Sequence, residues 1–230
     1  MKQEPQTAAP TRRVIVLGHR GAPSFAAENT PESFRRALAV GADGFEFDVR
    51  LSADGKLVIV HDPRVGGRAI SASSYERLRA TRRGARMPLL EEVLEEFGHA
   101  WLDIELKVAG VEERVLELAA RHCRPGRCVL TSFSRAVVAR LRQLDSAAPL
   151  GWLLKRPVRA ALWRDLRLNY LVPHHTALRR PLIEAARRDR LPLITWTVNS
   201  PRAIRRAADL GVEAIISDFP DLARAFLDRQ

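Results

Sequence analysis

The chain has 230 residues, 46% hydrophobic and 28% charged, a balance that suits one folded domain with a sizeable core and leaves little room for two. Lys plus Arg number 38 against 27 Asp plus Glu, a formal net charge of +11, which bears on partners rather than on fold. No compact basic block with interleaved aromatics points to nucleic acid, no run approaches the ~18 apolar residues of a membrane span, and the two cysteines, Cys123 and Cys128, make neither a zinc ribbon nor a disulfide framework.

From these limits we expect a soluble, cytoplasmic protein with reduced thiols, no nucleic-acid partner and no stable membrane insertion. Residues 1–13 are polar, with Pro5 and Pro10, and are expected to form a flexible lead-in without a signal-peptide core. The domain is expected to span residues 14–230.

Short apolar runs then alternate with amphipathic stretches. Val14 to Leu17 reads as a first strand, and Pro31 to Val40 as a helix with Thr30 as N-cap and proline at the first helical position. Phe45 to Val49 is a second strand. Leu57 to Val60 continues it through Ala53-Asp54-Gly55, where Asp-Gly signals a tight turn. Pro63 to Met87, rich in Gly, Arg and Ser, reads as a surface insertion with one helical turn near Tyr75 to Arg79.

Beyond it come helix Leu89–Phe97, strand Leu102–Leu106, helix Val111–Arg121, strand Cys128–Thr131 and helix Arg135–Leu144. The series goes on with strand Leu150–Leu154, a helix around Ala160 to Leu166, strand Tyr170–Val172 and helix Pro181–Arg188. It ends with strand Leu193–Val198, helix Pro201–Leu210, strand Ala214–Ile216 and helix Leu222–Leu227. Eight strand–helix units predict an α/β fold with a mainly parallel sheet, closed as a single-domain TIM (β/α)8 barrel with the short insertion after the second unit. A doubly wound sheet is the competing architecture, but no Gly-x-Gly-x-x-Gly follows the first strand.

Active sites in such barrels lie at the C-terminal ends of the strands, and polar residues gather there. Glu46 and Asp48 lie two apart in one strand and so share a face, while Phe45, Phe47 and Val49 take the other. Glu105 on the next strand should point inward likewise. Three inward carboxylates must be protonated, paired with cations such as Arg20, Arg50 and Lys107, or bound to a metal, and hard oxygen ligands suit Ca²⁺ or Mg²⁺. His19 and His61 end neighbouring strand segments and are candidates for acid–base work. Arg20 and Lys107 bring positive charge to the same mouth, where they serve a phosphate or a rim ion pair. Trp196 reads either as an apolar wall or as core. His174 and His175 reach at most the rim, and His99 and His122 read as helix-end residues.

His19-Arg20-Gly21-Ala22, Glu28-Asn29-Thr30, Glu46-Phe47-Asp48-Val49 and His61-Asp62-Pro63 together resemble the signature of the glycerophosphodiester phosphodiesterase family. The likeness continues through Pro88 to Leu94, Glu105-Leu106-Lys107, Ser132-Phe133, Trp196-Thr197-Val198-Asn199 and Ser217-Asp218-Phe219-Pro220. It implies a TIM barrel that uses a divalent cation, Ca²⁺ or Mg²⁺, to hydrolyse small-molecule glycerophosphodiesters such as glycerophosphocholine or glycerophosphoethanolamine. It further implies Glu46, Asp48 and Glu105 as metal ligands, His19 and His61 as the acid–base pair, and Arg20 and Lys107 as phosphate-binding residues. Glu28 and Asn29 would support the site and Trp196 would line it. Family members often carry a longer insertion after His-Asp-Pro, so the short, Arg-rich one here predicts an open mouth with little head-group selectivity. The alternatives are a lysophospholipase-D-like activity on lysolipids, which needs an apolar groove, and a non-catalytic barrel that binds phosphate-bearing ligands.

Overall fold

The computed structural model describes residues 13–229; the lead-in expected at residues 1–13 lies almost wholly outside them. The barrel strands are β1 (Ile15–His19), β2 (Gly44–Leu51), β6 (Trp101–Leu106), β7 (Cys128–Ser132), β8 (Leu150–Leu154), β9 (Tyr170–Pro173), β10 (Ile194–Thr195) and β11 (Ala214–Ser217). Among the described residues they form one sheet in the order β10-β11-β1-β2-β6-β7-β8-β9, each pair parallel. Parallel single-residue bridges, Leu171 to Leu193 and His174 to Trp196, join β9 to β10 and close the ring. The expected (β/α)8 barrel is therefore observed.

The alternation within strands divides the apolar residues into two layers. Leu17, Trp101, Val129, Leu153, Val172, Ile194, Ala214 and Ile216 fill the barrel interior. Phe45, Phe47, Leu102, Ile104 and Leu130 face outward into the layer beneath the helices. There Phe34 of α1 (Pro31–Ala39) stacks on Phe45 with ring centroids 4.2 Å apart, and Phe97 of α3 (Leu90–Phe97) meets both rings edge-on. The helix α1 starts where the sequence dictates: the Thr30 side chain accepts from the Ser33 N–H and Pro31 opens the first turn.

The remaining helices are α4 (Glu112–His122), α5 (Arg135–Leu144), α6 (Ala161–Arg164), α7 (Arg180–Arg188), α8 (Pro201–Asp209) and α9 (Pro220–Leu227). Helix α6 is shorter than the sequence suggests because its surrounding hydrogen bonds reach back three residues, not four. Strand β10 is also shorter than expected. Beyond Thr195 the backbone divides its bonds between two neighbours, Trp196 N–H to the Pro173 carbonyl and Val198 N–H to the Ile216 carbonyl.

The extension of the second unit is β3 (Leu57–Ile59), antiparallel to β2. The insertion after it holds more structure than one turn. A hairpin of β4 (Arg64–Val65) and β5 (Arg68–Ala69) bends at Gly66 and Gly67, both at positive φ, and α2 (Tyr75–Arg79) follows. Val65, Ile70, Leu78 and Met87 close over Val58 as a small separate core. No helix among the described residues is long and apolar enough to cross a membrane.

Candidate active site

The inward positions of β1, β2, β6, β7, β8 and β11 change from apolar to polar as the strands reach their C-terminal ends. Leu17 gives way to His19, Trp101 to Asp103 and Glu105, and Ile216 to Asp218. The result is a cavity of about 170 Å³ lined by, among others, His19, Arg20, Glu46, His61, Glu105 and Lys107, with Phe133 and Trp196 as its apolar side.

Glu46, Asp48 and Glu105 are buried on its floor at 5%, 1% and 7% exposure. The strand register places Asp48 directly beside Glu105, and one carboxylate oxygen from each residue lies within 4.8 Å of the others. Lys107 Nζ is 2.7 Å from Glu105 and 3.2 Å from Asp48, and Arg20 Nε is 3.4 Å from Asp48. Burial alone would raise the Asp48 pKa, but Lys107, Arg20 and a hydrogen bond from Asn29 together hold it below the usual range. Glu46 has no such escort. Burial first, then Asp48, Glu105 and Asp103, push its pKa well above normal against the opposing charge of Arg20.

Arg50 does not join the cluster; its Nε donates to the His61 carbonyl. Two cations thus form ion pairs with this cluster of three carboxylates, and one of the two also serves Glu28. An all-oxygen donor set with more carboxylates than paired cations fits a hard divalent cation.

Two residues beside the floor hold left-handed backbone, Arg20 at φ 57° and Asn29 at φ 56°. Such conformations are uncommon outside glycine. The turn at Arg20 aims its N–H at Glu46 Oε2, 3.0 Å away, and its guanidinium donates to Glu28 at 3.0 Å. Asn29 clasps Asp48 at two points: its side-chain amide donates to Oδ2 at 2.8 Å, and its oxygen accepts from the Asp48 N–H at 3.3 Å.

Each histidine leans on an aspartate. His19 Nδ1 lies 2.6 Å from Asp218, and His61 Nδ1 lies 3.0 Å from Asp62. Burial would raise the Asp218 pKa, yet the bond from His19 and the amide of Asn199 at 2.5 Å keep it below normal. Asp62 is lowered chiefly by its bond from His61. An ionised carboxylate only accepts, so Nδ1 carries the proton in each neutral ring and leaves Nε2 as the lone-pair nitrogen. His19 Nε2 is 4.0 Å from Glu46, so this lone pair sits over the carboxylate floor.

Residues 19–222 match the Glycerophosphoryl diester phosphodiesterase family. The chain belongs to this family. A glycerophosphodiester phosphodiesterase of Bacillus subtilis is 29% identical over 91% of this chain and 85% of its own length, and one of Bacillus altitudinis is 30% identical over 90% and 96%. The crystal structure of a glycerophosphodiester phosphodiesterase from Thermotoga maritima superposes with a TM-score of 0.81 at 27% identity, covering 94% of this chain and 98% of that one.

The family resemblance in the sequence is thus matched over residues 19–222, and the structure brings His19, Arg20, Glu46, His61, Glu105, Lys107 and Trp196 to one cavity, with Asp48, Glu28 and Asn29 in contact with them. Trp196 is held by its indole N–H on the Val172 carbonyl at 3.0 Å and meets Phe133 edge-on at 5.3 Å. His174 meets Trp196 edge-on, with ring centroids 4.9 Å apart. Sequence analysis gave no role to Asp218, Asn199, Phe133 or Lys155. The period-two pattern that singled out Glu46 and Asp48 extends to Ala214, Ile216 and Asp218, so Asp218 was within its reach. Fully buried Asp103 lies deeper, accepts from the Thr131 hydroxyl, and is raised by burial to about 7.

Proposed function

We propose that this chain hydrolyses glycerophosphodiesters such as glycerophosphocholine to sn-glycerol 3-phosphate and the free alcohol, with Ca²⁺ or Mg²⁺ held by Glu46, Asp48 and Glu105. The observation that carries this reading is the convergence of three buried carboxylates with two aspartate-backed histidines at one barrel mouth. A cation bound there would balance the carboxylates and polarise a phosphoryl oxygen.

The chain's own groups supply the rest. Arg20 and Lys107 attract and orient the phosphodiester. Glu28 positions the Arg20 guanidinium, and Asn29 fixes Asp48. His19, with Nδ1 tied to Asp218, takes a proton at Nε2 from the attacking hydroxyl. His61, acting as the imidazolium with Nδ1 tied to Asp62, delivers one from Nε2 to the departing alcohol oxygen. Trp196 and Phe133 shield the reacting groups from water on the apolar side.

Each acid–base contribution is worth ~10²–10⁴ in rate. Release of sn-glycerol 3-phosphate from glycerophosphocholine should therefore drop by that factor in His19→Ala and in His61→Ala, with the fold retained by circular dichroism. Preferred turnover of lysophosphatidylcholine would transfer the assignment to a lysophospholipase-D-like activity. Phosphate-ligand binding without turnover of any diester would transfer it to a binding barrel.

A further inference from the structure

His61 is shared by two cavities. One is the 170 Å³ space above the carboxylates; the other, of about 490 Å³, lies between the insertion and the β1–α1 loop. The larger cavity is lined on the insertion side by Arg64, Arg82, Arg83 and Arg86, all exposed. Its acidic lining residues are Glu28 and Asp62, and both are engaged, Glu28 by Arg20 and Asp62 by His61. Arg64 donates to the Gly67 carbonyl, and Arg86 lies 3.7 Å from Glu32. Among the described residues, Arg82 and Arg83 form no ion pair within 4.0 Å. The cavity wall therefore carries more guanidinium groups than carboxylates, four against two, beside the histidine assigned to the leaving group.

We propose that this cavity is a subsite for a phosphate monoester on the leaving alcohol. The inference rests on the phosphodiesterase reading above, in which His61 serves the departing oxygen. An alcohol that departs past His61 enters the space lined by these arginines. Guanidinium forks match phosphate oxygens two at a time, whereas the cationic head groups choline and ethanolamine meet like charge. The favoured substrates are glycerophosphodiesters whose head group carries a second phosphate, in place of the indifferent selectivity expected from a short insertion. The chemistry is unchanged: water adds across the bond between phosphorus and the head-group oxygen, that oxygen leaves as a hydroxyl, and the second phosphate stays intact on the alcohol.

The test compares kcat/KM for glycerophosphoinositol 4-phosphate and glycerophosphoinositol, which differ only in the second phosphate, with glycerophosphocholine as a third substrate. The expected preference for the phosphorylated diester is about tenfold or more at low salt and declines as ionic strength shortens the reach of exposed charges. The ratio of the two inositol substrates should fall toward one in the double variant Arg82→Ala/Arg83→Ala and persist in Arg82→Lys/Arg83→Lys, which keeps the charge. A wild-type ratio near one, or a ratio unmoved by the double alanine variant, overturns the subsite while leaving the phosphodiesterase reading in place. Failure to turn over any of the three diesters overturns that reading and the subsite with it.

Discussion

Asp218 contacts His19 through the last inward position of the barrel, 199 residues away in sequence. Its replacement by asparagine keeps the shape but removes the acceptor charge that fixes the imidazole tautomer. Asp218→Asn should lower turnover by about 10²–10⁴, chiefly in kcat. It should also reveal the linkage. The Asp218 pKa lies below normal in the folded chain, so its stabilising contribution is complete above the ordinary aspartate range near pH ~3.9 and is lost as pH falls through the lower folded value. Thermal melts should separate wild type from Asp218→Asn at neutral pH and bring them together in strong acid; a gap that widens on acidification would contradict the assignment. The inward carboxylates were legible in the sequence because a strand alternates with period two. The pairing of Asp218 with His19, the left-handed turns at Arg20 and Asn29, and the diversion of Arg50 to a carbonyl were not, because each depends on contacts between separate segments or on backbone torsions that no local pattern specifies.

The strands that carry the site are held from outside by the aromatic cluster of Phe34, Phe45, Phe47 and Phe97, all buried. Phe34→Ala should cost about 3–5 kcal/mol of unfolding free energy, the usual range for a fully buried phenylalanine, read from urea melts. The adjoining β2–β6 contact leaves no slack at Gly44, where an added Cβ would sit 1.7 Å from the Trp101 carbonyl oxygen. Gly44→Ala must therefore move β2 against β6, the two strands that bear Glu46, Asp48 and Glu105. It should depress activity and stability together, while alanine at Gly55, with nothing within 4 Å and only its φ of 76° to strain, should affect stability alone and mildly. At this scale the sequence located nearly every element, since a cap such as Thr30 and the alternation of apolar runs are local signals. It missed the hairpin and small core of the insertion, whose apolar residues are too scattered to show a period.

The molecule as a whole is a basic barrel around an acidic floor. Many of its exposed arginines pair with neighbouring acids, as Arg35 does with Glu96 and Arg164 with Asp189, and such surface pairs are worth about 0–1 kcal/mol each. The arginines of the insertion stand apart because they surround a cavity beside His61. The eightfold rhythm of strands and helices was readable from alternation alone, but the ring is sealed between β9 and β10 by single bridges that no sequence pattern announces. We infer that the three clustered carboxylates form a divalent-cation site for phosphodiester hydrolysis. Its most direct test is release of sn-glycerol 3-phosphate from glycerophosphocholine by chelator-stripped protein, before and after return of Ca²⁺ or Mg²⁺. Negligible release is expected without metal and full recovery with one of the two ions; undiminished release by the stripped protein would contradict a cation site at Glu46, Asp48 and Glu105.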